Sequence, residues 1–376
     1  MKFCPARQLH VKRAARRGLN LAARDIILRE LNLKLARGEQ IYKIYARCAQ
    51  RRKMARLELR TEILWRKRLK NGIFDAIAPT QDPFCADVFY VADGWGSAYA
   101  SMRLRRMSFA TGEETANALL RNAVRCMHFS ADAQHIFAVT DNKIYRLHRG
   151  SLQIDEKYEK GVPKYSDFVA GDEQGTLVLL NRSGGSVAVF NYAQGGVSKK
   201  RLKDEGCRLL LRGSGERYLI ASPVRGCVQR YDVAKGRVEV LFEVGTFDAA
   251  QLDNAGNWYF HPAIYVPAKI CDGHGEGARM ILSGKILMLG ADGARKEWDT
   301  GVKFKQIRLS VDEKSLLLQS ENGVWRFLPS IGRIVSETLL SEGERLEAFF
   351  EQRNLMLCSV KEEGGQSLIA RQILEF

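Results

Sequence analysis

Beyond about residue 73, short runs rich in β-branched and aromatic residues alternate with turns that contain Gly, Asn or Asp. Such runs predict short β-strands, because alternating apolar side chains suit a half-buried pleated sheet. One run of four residues recurs: an apolar residue, a variable residue, a residue that is often Arg, and another apolar residue. A Gly follows farther on. The copies are LRRM at 104–107, IYRL at 144–147, VAVF at 187–190, VQRY at 228–231, ILML at 286–289, VWRF at 324–327 and a degenerate LIARQI at 368–373.

The copies begin 38 to 44 residues apart, except for one interval of 58 residues. A polar turn followed by a β run precedes most of them, as in FSADAQHIFAV at 129–139 and LSVDEKSLLLQ at 309–319. Repeats of 40–45 residues with about four short strands each predict propeller blades, which bury their faces against one another. Seven such repeats fill residues 73–376. A count of six or eight blades stays open if the long interval is divided differently.

The element FSADAQHIFAV and the segment RYDVAKGRVE at 230–239 resemble blades of WD40-type and YVTN-type β-propellers. The resemblance covers residues 73–376 and implies an all-β propeller. The Trp-Asp dipeptide of WD40 blades occurs once, at Trp298–Asp299, after the recurring strand. In such propellers an N-terminal strand often completes the last blade. Residues 73–78 (IFDAIA) are either that strand or the first strand of the first blade.

The leading part of the chain has a different pattern. Residues 6–70 contain no Pro and are dominated by strong helix formers. Leu residues at 21, 28, 31 and 35 follow helical spacing after Asn20, a suitable N-cap. Gly38 is a suitable end for this helix, and a second helix is predicted from about Glu39 to Lys70. The sequence therefore predicts a basic α-helical hairpin at 1–72, followed by a β-propeller at 73–376.

Charge divides the chain at the same place. The formal net charge is +16, and residues 1–72 hold 21 Lys and Arg against five Asp and Glu. Residues 73–376 hold 38 of each sign and are neutral overall. So concentrated a positive charge predicts attraction to an acidic macromolecule, because opposite charges steer and hold such partners.

Nucleic acid and an acidic protein surface are the leading partners, and an anionic membrane surface is a third alternative. A helical face that simply faces solvent or packs internally is the competing interpretation. In a nucleic-acid complex, the aromatic ring of Trp65 would stack on a base. The predicted contact residues are Arg47, Arg51, Arg52, Lys53, Arg56, Arg60, Trp65, Arg66, Lys67, Arg68 and Lys70.

The long interval contains an insertion, HPAIYVPAKICDGHGEGAR at 261–279. It concentrates residue types that bind divalent metals, although their spacing matches no standard site. The candidate ligands are His261, Cys271, Asp272, His274 and Glu276. A flexible polar loop is the competing interpretation. The interpretation we favour is a non-catalytic interaction scaffold without a cofactor. The alternative is a propeller enzyme that uses a metal or cofactor on its central face.

Four of the recurring strands carry an Arg at the same position: Arg106, Arg146, Arg230 and Arg326. These residues form either a circle of guanidinium groups that holds an anion or a set of separate pairs with neighbouring carboxylates or carbonyls. We favour the separate pairs.

Eight cysteines are scattered singly, and no CxxC pair occurs. Basic residues recur from Lys2 to Lys70 and leave no apolar run of the length found in a secretory signal. No stretch approaches the length of a membrane-spanning helix. The sequence therefore predicts a cytoplasmic protein with reduced thiols.

Overall fold

The computed structural model describes residues 57–69, 79–94, 102–162, 164, 166–171, 175–181, 185–202, 207–210, 217–269, 276–363 and 365–374. Residues 57–376 form one compact unit. The described part is all-β, apart from one 3-10 turn at Glu351–Arg353. Within it, no helix is long and apolar enough to cross a bilayer.

The strands form seven antiparallel sheets of four main strands each, which we number as blades 1 to 7. Blade 1 contains β3 (Thr80–Gln81), β4 (Val88–Gly94), β5 (Met102–Ser108) and β6 (Glu114–Leu120). Blade 2 contains β7 (Val124–Phe129), β8 (His135–Thr140), β9 (Ile144–His148) and β10 (Ile154–Tyr158). Blade 3 contains β11 (Ser166–Gly171), β12 (Thr176–Asn181), β13 (Ser186–Asn191) and β14 (Gly196–Arg201).

Blade 4 contains β15 (Arg208–Leu210), β16 (Arg217–Ser222), β17 (Cys227–Asp232) and β18 (Arg237–Glu243). Blade 5 contains β19 (Phe247–Leu252), β20 (Trp258–Lys269), β22 (Lys285–Leu289) and β23 (Arg295–Asp299), with β21 (Glu276–Leu282) paired to β20. Blade 6 contains β24 (Gln306–Leu309), β25 (Leu316–Ser320), β26 (Gly323–Leu328) and β27 (Arg333–Leu339). Blade 7 contains β28 (Glu344–Phe350), β29 (Leu355–Glu362), β30 (Gly365–Leu374) and the N-terminal strand β2 (Arg60–Leu69).

Seven separate apolar clusters lie between neighbouring blades and close the ring. Each cluster joins two consecutive blades, and one of them joins blade 7 to blade 1. A single blade exposes two apolar faces, and radial packing buries both. The predicted seven-bladed all-β propeller is therefore confirmed.

The recurring sequence run is the third strand of every blade, in β5, β9, β13, β17, β22, β26 and β30. The preceding polar turn joins the first two strands, and its hydrogen bonds explain why the turn recurs. In blade 2, the Ser130 backbone N–H donates to the His135 carbonyl at 3.0 Å, and Asp132 accepts from the Gln134 N–H at 2.9 Å. Blade 6 repeats this arrangement. The Ser310 hydroxyl donates to Asp312 at 2.7 Å and accepts from the Ser315 N–H at 2.9 Å.

Strand β2 completes blade 7 by pairing antiparallel with β30 along nine residue pairs. The short strand β1 (Leu57–Glu58) pairs parallel with the outer edge of β27 in blade 6. The helix predicted through Lys70 is therefore wrong over residues 57–69, which belong to the propeller. The rest of the predicted hairpin, and the segment 73–78 proposed to close the ring, lie outside the described residues.

The long interval in blade 5 is explained by an antiparallel ribbon. Strand β20 pairs with β19 and β22 inside the blade, and then continues beyond it to pair with β21 from Ala263 to Lys269. The interpretation of the insertion as a flexible polar loop is therefore wrong, because most of it is paired strand. The blade count of seven is unaffected, because the ribbon extends one hairpin without adding a blade.

Candidate functional site

Five of the predicted partner-binding residues lie on β2, the outer strand of blade 7. They are Arg60, Trp65, Arg66, Lys67 and Arg68. The others lie outside the described residues, and they are Arg47, Arg51, Arg52, Lys53, Arg56 and Lys70. The positions on β2 fall on two faces, because side chains alternate along a strand.

The indole of Trp65 is part of the core, not a surface for base stacking. Its side chain is 8% exposed and packs in the cluster that joins blade 7 to blade 1. Its Nε1–H donates to the Phe109 carbonyl at 2.6 Å. A Cβ added at Gly112, where φ is +65°, would lie 2.6 Å from the indole ring. Trp65 therefore holds the closing strand against blade 1 and is not free to stack on a base.

Two of the cations on β2 contact the turn between β29 and β30. Arg66 forms an ion pair with Glu362, and Arg68 donates to the Glu363 carbonyl at 2.5 Å. A hydrogen bond from the Ser367 side chain, together with the contact to Arg66, holds the pKa of Glu362 below its usual value. Arg66 and Arg68 therefore support closure of the ring, a role that the density of positive charge alone does not reveal.

Three of the four recurring arginines pair separately with carboxylates, as favoured from the sequence. Arg146 contacts Asp155, with 2.5 Å between Nη2 and Oδ2, and Arg230 contacts Glu239 at 2.6 Å. Arg326 contacts Glu351 of the next blade at 3.0 Å. The fourth, Arg106, donates to the Thr115 hydroxyl at 2.8 Å. The interpretation as a circle of anion-binding guanidinium groups is therefore not supported.

The candidate metal ligands do not come together where the structure describes them. His261 is fully buried, its Nε2–H donates to the Ser283 carbonyl at 2.7 Å, and its ring stacks on Phe304. Burial lowers the pKa of His261, as expected for a neutral core histidine. Glu276 lies seven strand residues from Ser283, which is about 23 Å at the usual rise per residue.

The backbone of Glu276 therefore lies far along the ribbon from His261. Cys271, Asp272 and His274 lie outside the described residues. Among the residues that are described, no group of three or more potential ligands is placed to hold a metal.

The innermost strands contain a feature that sequence reasoning missed. First strands of several neighbouring blades contact one another, as β11 does β7 and β15 and as β19 does β24, which places them around the central channel. In four blades a β-bulge interrupts this strand, and each bulge inserts one charged residue. The inserted residues are Arg125, Asp167, Asp248 and Glu347. A charged residue inside an otherwise apolar run, as in VRCM or FDAA, is the signal that would have found them.

Two of the charges at these bulges, Arg125 and Glu347, have internal partners. Arg125 contacts Asp141, with 2.5 Å between Nε and Oδ1. Glu347 accepts hydrogen bonds from Arg345 at 3.0 Å and from the Ser359 hydroxyl. These contacts pair the charges of Arg125 and Glu347, which is favourable because an isolated buried charge would be costly.

On one face of the propeller, contacts between loops join consecutive blades. The Glu313 carboxylate accepts hydrogen bonds from the backbone and side-chain N–H groups of Asn254, both at 2.7 Å. Glu351 accepts from the Val311 N–H at 2.7 Å, and Arg353 donates to blade 1. The face therefore presents loops that are fixed relative to one another from blade 5 to blade 1.

No protein-family model matches the chain, and no curated protein sequence matches it. Solved structures match its fold. One is the crystal structure of RRP9 WD40 repeats, with a TM-score of 0.55 and 13% sequence identity, covering 84% of this chain and 100% of that chain. Another is the structure of streptogramin B lyase, with a TM-score of 0.57 and 12% identity, covering 84% and 98%.

At these identities the comparisons show the fold alone, a WD40-like propeller. The resemblance found in the sequence is therefore confirmed at the level of the fold. One of the two structures is a repeat domain and the other is named as a lyase, so the fold itself does not decide the function.

Proposed function

We propose that this protein is an interaction scaffold, in which the propeller is a platform and the cationic segment before it holds an acidic macromolecule. The partner is a nucleic acid or an acidic protein surface. One observation carries the proposal. Residues 1–56, which precede the propeller, hold 16 Lys and Arg against only three Asp and Glu.

The propeller contrasts with this segment. Residues 57–376 hold 43 Lys and Arg against 40 Asp and Glu. Many of these cations have carboxylate partners inside the propeller, as Arg105 has in Asp93 and Arg371 has in Glu344. The excess charge of the chain therefore lies almost entirely in the leading segment, where its own carboxylates are too few to balance it.

Positive charge of this density favours binding to polyanions for a general reason. Each phosphate neutralised by a Lys or Arg releases condensed counterions, so affinity arises without sequence-specific contacts. An acidic protein surface provides similar attraction through its carboxylates. No zinc-finger, homeodomain or RNP motif occurs in the sequence, so we expect a partner recognised mainly by its charge.

The propeller supports the proposed role as a binding platform. Its loops are fixed by contacts between blades, as at Glu313 and Glu351. A pre-organised surface loses little conformational entropy on binding, which favours association. We therefore propose that the propeller faces bind protein while the leading segment supplies electrostatic attachment.

Charge reversal in the full-length chain tests the role of the leading segment. The variant carries R51E, R52E, K53E and R56E, and the matched control carries K199E, K200E, R295E and K296E on exposed propeller strands. We expect the first variant to lose most of its affinity for a polyanion in fluorescence anisotropy. We expect the control, which has the same change in net charge, to retain it. Equal losses in both would mean that net charge, not the segment, causes binding.

Salt dependence and nuclease treatment distinguish the two partner classes. If the segment contacts about eight phosphates on duplex DNA, raising salt from about 50 to 200 mM lowers the affinity by about four decades. Capture of cellular partners that survives nuclease indicates an acidic protein, and loss of capture indicates a nucleic acid. Binding of neither class by the unmodified chain would refute the proposal.

A further inference from the structure

The outermost strand of blade 3, β14, presents a regular edge. It pairs with β13 from Gly196 to Arg201 without a register shift. In blades 1, 2, 4, 6 and 7 a β-bulge interrupts the pairing between the outermost strand and its neighbour. Among the described strands, only blades 3 and 5 lack this interruption. Bulges protect the edge of a sheet against further pairing, so β14 keeps an edge that can accept another strand.

The pairing also fixes the direction of the backbone groups of β14. The Leu202 N–H donates to the Gly185 carbonyl, so position 202 belongs to a hydrogen-bonded pair. Such pairs alternate with non-hydrogen-bonded pairs along an antiparallel ladder. The N–H and C=O groups of Val197, Lys199 and Arg201 therefore point away from β13, towards the outer edge. Among the described strands, none pairs with this edge.

This edge is strongly cationic. Lys199, Lys200 and Arg201 are consecutive and exposed, and the residues opposite them on β13 are uncharged. None of the three has an ion pair with another described residue. In blades 2, 4 and 5 a cation on the third strand pairs with a carboxylate on the outermost strand. In blade 3 the third strand lacks that cation and β14 lacks a carboxylate, so its positive charges are not offset in this way.

The other regular edge differs from β14 in charge. Strand β23 of blade 5 carries Arg295 and Lys296 against Glu297 and Asp299, and is neutral overall. The two strands therefore share a regular backbone and differ in what they attract, which makes β23 an internal control for β14.

Blade 6 shows that an outermost strand of this propeller accepts another strand. There β1 pairs parallel with β27 at two positions, and the Leu59 N–H donates to the Glu337 carbonyl at 2.8 Å. This added strand is short and lies beside the bulge in β27. Because β14 has no bulge, a longer segment can pair with it.

We propose that the outer edge of β14 binds an extended acidic peptide segment of a partner protein, which adds a strand to blade 3. Backbone hydrogen bonds provide affinity in this mode of binding, and alternate side chains provide selectivity. Lys199 and Arg201 lie on one face of the strand, so they match carboxylates at alternate positions of the peptide. The same cations repel a second copy of β14, because like charges directly opposite each other are unfavourable.

This site is separate from the cationic leading segment and does not depend on it. A nucleic acid has no peptide strand to add, so we do not expect it to bind at β14. The segment attracts partners by charge alone, whereas β14 requires a partner chain in an extended conformation.

The probe is a fluorescent hexapeptide in which Glu and Val alternate, titrated against the full-length protein and followed by anisotropy. The same peptide with every backbone nitrogen methylated keeps its carboxylates and loses its hydrogen-bond donors. Charge attraction to the leading segment acts on both peptides, so the difference between their affinities measures strand addition. We expect methylation to lower the affinity by about tenfold or more. Equal affinities, or no binding of the unmethylated peptide, would overturn the proposal.

Proline on β14 separates backbone pairing from charge. Lys199→Pro removes an N–H that points to the outer edge and leaves the hydrogen bonds to β13 intact. We expect it to lower the affinity for the unmethylated peptide by about fivefold or more. Lys199→Gln keeps the N–H and should lower the affinity by no more than about threefold. The matched control is Glu297→Pro, at an edge-facing position of β23, and should leave the affinity unchanged.

Hydrogen exchange locates the peptide on the unmodified protein, so it decides the matter even if Lys199→Pro does not fold. We expect the peptide to slow amide exchange in a fragment that covers residues 196–202, and to leave a fragment that covers residues 295–300 unchanged. Protection elsewhere without protection of β14 would place the peptide at another site and refute the proposal. An unaltered affinity in a folded Lys199→Pro variant would refute it as well.

Discussion

Trp65 stacks against Phe89 of blade 1, with 6.3 Å between ring centroids. In the sequence it stands beside Arg66, Lys67 and Arg68, which indicates a solvent-facing segment. In the strand, Trp65 and Leu69 are buried on one face, and Arg66 and Arg68 are exposed on the other. Because side chains alternate along a strand, neighbouring residues are divided between the core and the surface. A helix formed by the same residues would not divide them in this way.

Replacing Trp65 tests this assignment directly. We expect Trp65→Ala to lower the free energy of unfolding by about 3–5 kcal/mol, because a large buried side chain leaves a cavity. Ile63→Ala is the control on the same strand, where the side chain is 52% exposed, and should change stability by no more than about 0.5 kcal/mol. Equal effects in urea unfolding would contradict the placement of Trp65 in the core.

A buried tyrosine gives a prediction for alkaline pH. Burial and the Asp253 carboxylate raise the pKa of Tyr259 to about 12, and its hydroxyl donates to Asp253 at 3.2 Å. In the unfolded chain the same group titrates near its ordinary value of about 10. Its contribution to stability is therefore complete below pH 10 and is lost as the pH rises from 10 through 12.

We expect the chain to lose stability over this interval and Tyr259→Phe to lose less. Urea titrations at pH 9, 10.5 and 11.5 measure the difference. An identical decline in both proteins would show that Tyr259 does not titrate as described.

At the scale of elements, the ribbon of β20 and β21 differs from the blades. Among the described strands, β21 pairs only with β20, so the ribbon extends one hairpin and adds no strand to a neighbouring sheet. The ribbon is fixed at its base, where the Tyr265 hydroxyl donates to the Phe247 carbonyl at 2.9 Å. Two exposed residues, Ile264 and Ile281, are paired across it.

Shortening the ribbon should therefore leave the propeller intact. We expect replacement of residues 266–279 by an Asn-Gly turn, which suits a two-residue hairpin, to change the unfolding temperature by only a few degrees. Differential scanning calorimetry measures the change. A loss of cooperative unfolding would mean that the ribbon supports the ring.

At the scale of the whole molecule, stability depends on how the ring is closed. The cluster between blades 7 and 1 includes Trp65 and Leu69 of β2, so the N-terminal strand joins the two ends of the propeller. The cationic segment ends where this strand begins. The cationic segment and the closing strand are therefore adjacent along the chain and meet near Leu57.

Two truncations separate these roles. Removal of residues 1–56 should leave the unfolding transition of the propeller nearly unchanged while removing polyanion binding. Removal of residues 1–69 should lower the free energy of unfolding by at least about 5 kcal/mol, because Trp65 and Leu69 leave the core. Circular dichroism with urea unfolding measures both. Similar stabilities for the two truncations would contradict closure by β2.

The sequence by itself determined the blades and the uneven charge. Strands, turns and repeats depend on neighbouring residues, so the recurring run marked one strand in each blade and indicated seven blades, and the structure showed that this strand is the third. Net charge is additive along the chain, so the contrast between the leading segment and the propeller needed no coordinates. The pairing of the recurring arginines with groups in their own or the next blade was also favoured before the structure.

Only the tertiary structure decided how the ring closes and which charges remain available. Arg66 and Glu362 are 296 positions apart in the sequence, and no local pattern indicates that they meet. The closing strand β2 carries apolar residues at spacings that also fit a helix. Only its pairing with β30 shows that this segment is a strand and not a helix. The same long-range packing places Arg326 beside Glu351 of the next blade, because adjacent blades bring together residues that periodicity treats separately.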